Sequence, residues 1–220
     1  MMRDWQSHRD NFLSEILSVE GPPQDKSCGN CGRTEQAIYR CSDCFYSGLL
    51  CLDCCLKDHI RHPFHHIKVW TGQYFSPTTL HRLGYILHLG HGGLPCPISG
   101  EQGERDSKAS KGTLIVVDIR SIHSHSVSWC RCPGAPSRPA QLLRMHLYPA
   151  SIQSPRTAFT FQLLEYYHLD SVECNTTPLS FCNKLRRLTN KYNPDAVPVS
   201  AILLVLLNLD SQEHRIDIGN

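Results

Sequence analysis

The sequence predicts an α+β chain in two parts, a small cysteine-rich finger followed by a compact strand-hairpin and helix domain. Three observations lead there. Seven cysteines and four histidines fall within the thirty-nine residues from Cys28 to His66. A β-branched, apolar run, Thr113 to Asp118, is followed by His123, His125, Val127 and Trp129 on alternating positions, the period of a second strand. Two later stretches, 157–169 and 177–188, carry apolar residues at helical spacing.

Residues 4–19 predict an amphipathic helix. Trp5, Phe12, Ile16 and Val19, with Leu13 and Leu17, recur at helical spacing, and Gly21-Pro22-Pro23 stops it. Within 25–70, Ile38-Tyr39-Arg40 and Leu49-Leu50 read as short strands feeding cysteine turns, and Ile67, Val69 and Trp70 as a closing strand. Ser76-Pro77 reads as the start of a helix carrying Leu80, Leu83, Ile86 and Leu87 and ending at Gly90. Residues 98–112 are polar and charged, which predicts a flexible insertion. After the hairpin, Arg144–Tyr148 reads as a third strand closed by Pro149. Thr157–Leu169 and the stretch after Thr177-Pro178 read as helices, and 193–220 as an irregular tail. The resulting division is an N-terminal helix (1–24), a finger (25–70), a second domain (71–192) and the tail.

Composition narrows the chemistry. The start, Met1 to Phe12, is polar and lacks the apolar core of a secretion signal. Twelve cysteines then point to reduced, metal-bound thiolates rather than disulfides, and to an intracellular protein. The apolar run Val197–Leu209 is shorter than the roughly 20 residues a spanning helix needs, so no membrane role is expected. A net charge of +2 excludes strong polyanion binding by the chain as a whole. Residues 120–192 nevertheless hold nine Lys or Arg against three Asp or Glu, and Lys184, Arg186, Arg187 and Lys191 are candidate nucleic-acid contacts. No G-x-S-x-G, P-loop or H-E-x-x-H pattern is present, and no small-molecule substrate is expected.

Three C-x2-C pairs, Cys28/Cys31, Cys41/Cys44 and Cys51/Cys54, precede His59, His62, His65 and His66. This is the ligand count of a module holding two Zn2+ ions. In an interleaved finger Cys28, Cys31, Cys51 and Cys54 share one ion. Cys41 and Cys44 share the other with two histidines, which we assign as His59 and His65, with His62 and His66 as alternatives. A sequential arrangement, with Cys28, Cys31, Cys41 and Cys44 on one ion, satisfies the same count. Cys55 is surplus and reads as buried filler. Four soft ligands leave no open position, so such sites are structural. Cys130-x-Cys132 at a strand end, with Cys96 and His123, offers a third Zn2+ site; in the alternative reading these residues are core. Cys174 and Cys182 fit no ligand pattern and read as core.

The segments Tyr39–Cys44 and Leu50–Cys54 resemble a ZZ-type or B-box-type zinc finger. The acidic run that ZZ fingers place before the third pair is replaced here by Phe45–Gly48. Over residues 5–192 the ordered strings Trp70–Leu80, Leu89–Gly93 with Cys96-Pro97, Ile122-His123, Cys130–Gly134 and Thr157–Phe161 resemble the CxC-like cysteine cluster domain found beside KDZ transposases of fungal mobile elements. The resemblance implies a zinc-chelating accessory region, with Cys96, His123, Cys130 and Cys132 as its cluster. It also implies a nuclear location and contact with DNA or a transposase partner. In that family a catalytic domain follows; here the resemblance fades after about Asn193, which implies a truncated, non-catalytic product. Two other readings remain open. One is a ZZ- or B-box-like adaptor for peptides or the ubiquitin pathway. The other is the remnant of a ribonuclease H-like nuclease using Asp118, which would need a second carboxylate to hold Mg2+.

Overall fold

The computed structural model describes residues 2–21, 23–34, 37–45, 48–98 and 111–217. The chain divides into two units, Met1–Tyr85 and Ile86–Asn220. Among the described residues, six α-helices and two sheets make it α+β, as the sequence predicts.

In the first unit, helix α1 (Met2–Glu20) precedes a three-stranded antiparallel sheet in the order β1-β2-β3. Its strands are β1 (Tyr39–Cys41), β2 (Ile67–Trp70) and β3 (Phe75–Thr78), and α2 (Leu52–Asp58) lies between β1 and β2 in sequence. Leu50 adds a single bridge to Tyr39. Gly72, at φ 100, turns the β2–β3 hairpin, and Trp70 packs on Phe75 across it with ring centroids 4.9 Å apart. This pairing carries the first unit past residue 70, where the sequence placed the end of the finger. The apolar core is small, built around Ala37, Leu50, Cys55, Ile67 and Leu80.

The helix predicted after Ser76 does not form. Thr79 accepts a hydrogen bond from the Arg82 N–H, one helical turn follows, and Gly84 at φ 90 ends it. Ile86–Leu89 then becomes strand β4, because its alternating burial matches a place in the second sheet.

That sheet has the order β4-β6-β5-β8-β7. The hairpin of β5 (Lys111–Val117) and β6 (Ile122–Trp129) is antiparallel, β4 runs parallel to β6, and β8 (Thr157–Thr160) runs parallel to β5. β7 (Leu147–Pro149) closes the far edge. Apart from its ends, the insertion predicted at 98–112 lies outside the described residues; Lys111 and Gly112 belong to β5.

Three further predictions are corrected here. Helix α3 (Arg138–Arg144), with Pro139 in its first turn, takes Leu142 and Leu143, so only Leu147–Pro149 is strand. Residues 157–160 are strand rather than helix; the Thr160 side chain then accepts from the Leu163 N–H and starts α4 (Phe161–Cys174). The segment expected to be irregular forms α6 (Ser200–Asp217), because Ile202 and Leu206, four residues apart, are both buried. Helix α5 (Pro178–Thr189) starts at Thr177 as predicted. Helices α4, α5 and α6 cover one face of the sheet, packing Leu163, Phe181, Leu185 and Ile202 against Val117 and Phe159.

Candidate metal centres

All twelve cysteines are unbridged. Eleven of the Cys and His side chains that the sequence singled out, with one it did not, gather into three groups whose ligand atoms lie within 4.8 Å of one another.

The first group is Cys28, Cys31, Cys51 and Cys54. Gly32, at φ 69, lets its N–H return to the Cys28 carbonyl at 2.8 Å, which closes the first C-x2-C turn. Cys51 stands at the start of α2 and Cys54 in its first turn. Burial pushes the Cys28 thiol up, but the backbone N–H groups of Cys51, Cys31 and Asn30 donate to its sulfur and hold it at about 6. Its neighbours bear the consequence. The hydrogen-bonded sulfur of Cys51, then burial and the remaining sulfurs, push the Cys54 thiol up to about 12. Thiols this close cannot all ionise unless a cation sits among them.

The second group is Cys41, Cys44, His59 and His65. The Cys41 sulfur accepts from the N–H groups of Asp43 and Cys44 at 3.4 and 3.3 Å. His59 is fully buried, and its Nδ1 donates to the Cys55 carbonyl at 2.7 Å, which fixes the tautomer and turns Nε2 toward Cys44. His65 Nδ1 lies 3.3 Å from the Cys44 sulfur. The other two histidines take different places. His66 Nδ1 is 2.7 Å from Asp43 Oδ2, and exposed His62 stacks on the His65 ring at 4.8 Å. The two groups interleave along the chain, so the sequential arrangement is not adopted.

The third group is His91, Cys96, Cys130 and Cys132. Here one residue differs from the sequence reading: His91 takes the place assigned to His123. His123 lies seven residues before Cys130 on β6, roughly 23 Å along an extended strand, and its Nε2 is 2.8 Å from Ser121 Oγ. His91 arrives because β4 pairs in parallel with β6, with Leu89 opposite Trp129. The residues leaving both strands, Gly90-His91 and Cys130, therefore emerge side by side. A Cβ on Gly90 would lie 2.8 Å from the Cys130 Cβ, so only glycine fits. His91 itself has φ 48, and Gly92 and Gly93 follow at 66 and 88. Burial of Gln141 completes the site: its side chain accepts from the Cys130 N–H at 2.9 Å and donates to the carbonyls of Cys130 and Pro136. The glycines after His91 were the available sequence signal; nothing local marked Gln141. Cys96 at its side pushes the Cys132 thiol up to about 11.

The distances fit zinc. A tetrahedral ion with standard bond lengths separates two sulfurs by about 3.8 Å, and a sulfur from an imidazole nitrogen by about 3.6 Å. Cys31 to Cys51 and Cys96 to Cys132 are each 3.7 Å. The sulfur–nitrogen separations run from 3.3 Å for Cys130 to His91, through 3.5 Å for Cys41 to His65, to 3.7 Å for Cys44 to His59. Each group is closed by four protein donors.

The remaining candidates do other work. Asp118 Oδ1 accepts from Thr160 Oγ1 at 3.0 Å, and its N–H donates to the Ser121 carbonyl, so it ties the hairpin turn to the start of α4. Among the described residues no metal-holding group includes it. Lys184 pairs with Asp170 at 2.5 Å and lies over the Phe181 and Tyr166 rings; Arg186 donates to the Val197 carbonyl. Arg187 and Lys191 are exposed. Cys55 and Cys182 are core, as expected, whereas Cys174 is exposed. Among the described residues no helix is long and apolar enough to cross a membrane.

No curated protein and no solved structure matches the chain. Residues 80–193, more than half of it, match the family described as CxC2 like cysteine cluster associated with KDZ transposases. The match contains the whole third group and none of the first two. That description names a cysteine cluster, not a catalytic domain. The chain therefore belongs to the CxC2 like cysteine cluster family associated with KDZ transposases.

Proposed function

We propose that the chain is a non-catalytic, zinc-held accessory region of a KDZ-type transposon protein, acting in the nucleus by contacting DNA or a transposase partner. Three Zn2+ ions would stiffen its two units. One would sit on Cys28, Cys31, Cys51 and Cys54, one on Cys41, Cys44, His59 and His65, and one on His91, Cys96, Cys130 and Cys132. The observation that carries this reading is the near-tetrahedral spacing of three closed Cys/His groups, one of them inside the family match. A closed site offers no position for substrate or water, so the ions would hold shape rather than activate a reaction.

For DNA, support comes from the basic excess of 120–192, of which Arg187 and Lys191 are exposed. Duplex binding by the zinc-loaded chain, measured by anisotropy at increasing salt, tests it. Each phosphate contact contributes about 0.9 to the slope of log affinity against log salt. An Arg187→Ala/Lys191→Ala variant should lower that slope by about two contacts' worth. No salt-sensitive binding would leave the transposase as the partner.

A further inference from the structure

We propose that α1 is a self-association helix that pairs antiparallel with α1 of a second copy of the chain. This goes beyond the zinc-scaffold reading and does not depend on it. Trp5, Phe12, Leu13, Ile16, Leu17 and Val19 all face solvent, between 44% and 66% exposed. The helix is held at its C-terminal end. There buried Arg40 donates to the Val19 carbonyl and pairs with Glu20 at 3.1 Å, and Lys68 reaches Glu20 at 3.0 Å. An isolated helix of this length is marginal in water, so an uncovered apolar face on it implies a partner.

The pattern identifies that partner. At about 100° per residue, Trp5, Phe12, Ile16 and Val19 lie within roughly 60° of the helix circumference, the seam of a two-stranded coil, and Leu13 and Leu17 flank it on one side. Arg9 lies on the same seam and pairs with exposed Asp10, 3.1 Å away. Charge then selects the direction. Parallel pairing in register would set Arg9 against Arg9 of the second copy and Glu15 beside its Glu20. Antiparallel pairing sets Arg9 over Phe12 of the second copy, where a guanidinium can stack on the ring, Trp5 beside Ile16, and His8 beside Glu15. It also places the two anchored ends at opposite ends of a pair about 28 Å long, which keeps the fingers apart.

The test is analytical ultracentrifugation of the zinc-loaded full chain over a wide concentration range. A concentration-dependent dimer is expected. Phe12→Glu/Ile16→Glu should be monomeric at unchanged zinc content. Glu15→Lys removes the carboxylate beside His8 and adds a cation near Arg9, so it should weaken the dimer about threefold. In a parallel pair the same change would face Glu20 and tighten it. A monomer at every concentration, a dimer that survives the double substitution, or a tighter Glu15→Lys dimer would each overturn the proposal.

Discussion

The side-chain amide of Gln141 pairs with the backbone of Cys130 as a neighbouring strand would, accepting from its N–H and donating to its carbonyl. β6 ends at Trp129, and among the described residues no strand pairs with Cys130 to make these bonds. A buried glutamine from α3 supplies them and holds the Cys130 sulfur against His91.

Gln141→Leu keeps the volume and removes all three hydrogen bonds. A buried N–H and two carbonyls lose their partners, which costs roughly 2–4 kcal/mol. Thermal unfolding should show that loss. Chelator competition should show the third zinc leaving first, with the finger's zincs unchanged.

His91→Ala and His123→Ala separate the two candidate ligands. Elemental analysis should find one zinc fewer in His91→Ala and no change in His123→Ala. The reverse result would place the third ion on the strand face rather than at the strand ends.

Gly90→Ala adds one methyl group where the Cys130 Cβ already stands 2.8 Å away. Backbone must shift to admit it, at a cost of about 1–3 kcal/mol. Reduced zinc content and a lower melting temperature are expected together. A fully zinc-loaded, equally stable Gly90→Ala protein would contradict the packing of β4 against β6.

Zinc removal should affect the two units unequally. The first unit has a small apolar core, whereas the second buries Phe159, Phe181, Leu163 and Ile202 between its sheet and helices. With a strong chelator, amide exchange should rise throughout residues 28–70 while β5, β8 and α5 stay protected. Equal loss in both units would mean that the third ion holds the sheet together.

What the sequence by itself determined is what short spacing controls. A C-x2-C turn forms within four residues, so the two interleaved centres of the finger were readable, as were β1, β2, the β5–β6 hairpin and the Thr177 cap. Tertiary structure decided the rest, because partners distant in the chain made the choice. Ile86–Leu89 and Thr157–Thr160 carry apolar residues that suit either a helix or a strand; β6 and β5 offered each a parallel edge, and pairing won. Leu206 and Ile202 found a core only once α4 and α5 were in place. The third centre turns on the same physics. His123 is nearer to Cys130 in sequence, but an extended strand carries it away. The parallel register of β4 brings His91 back from thirty-nine residues earlier.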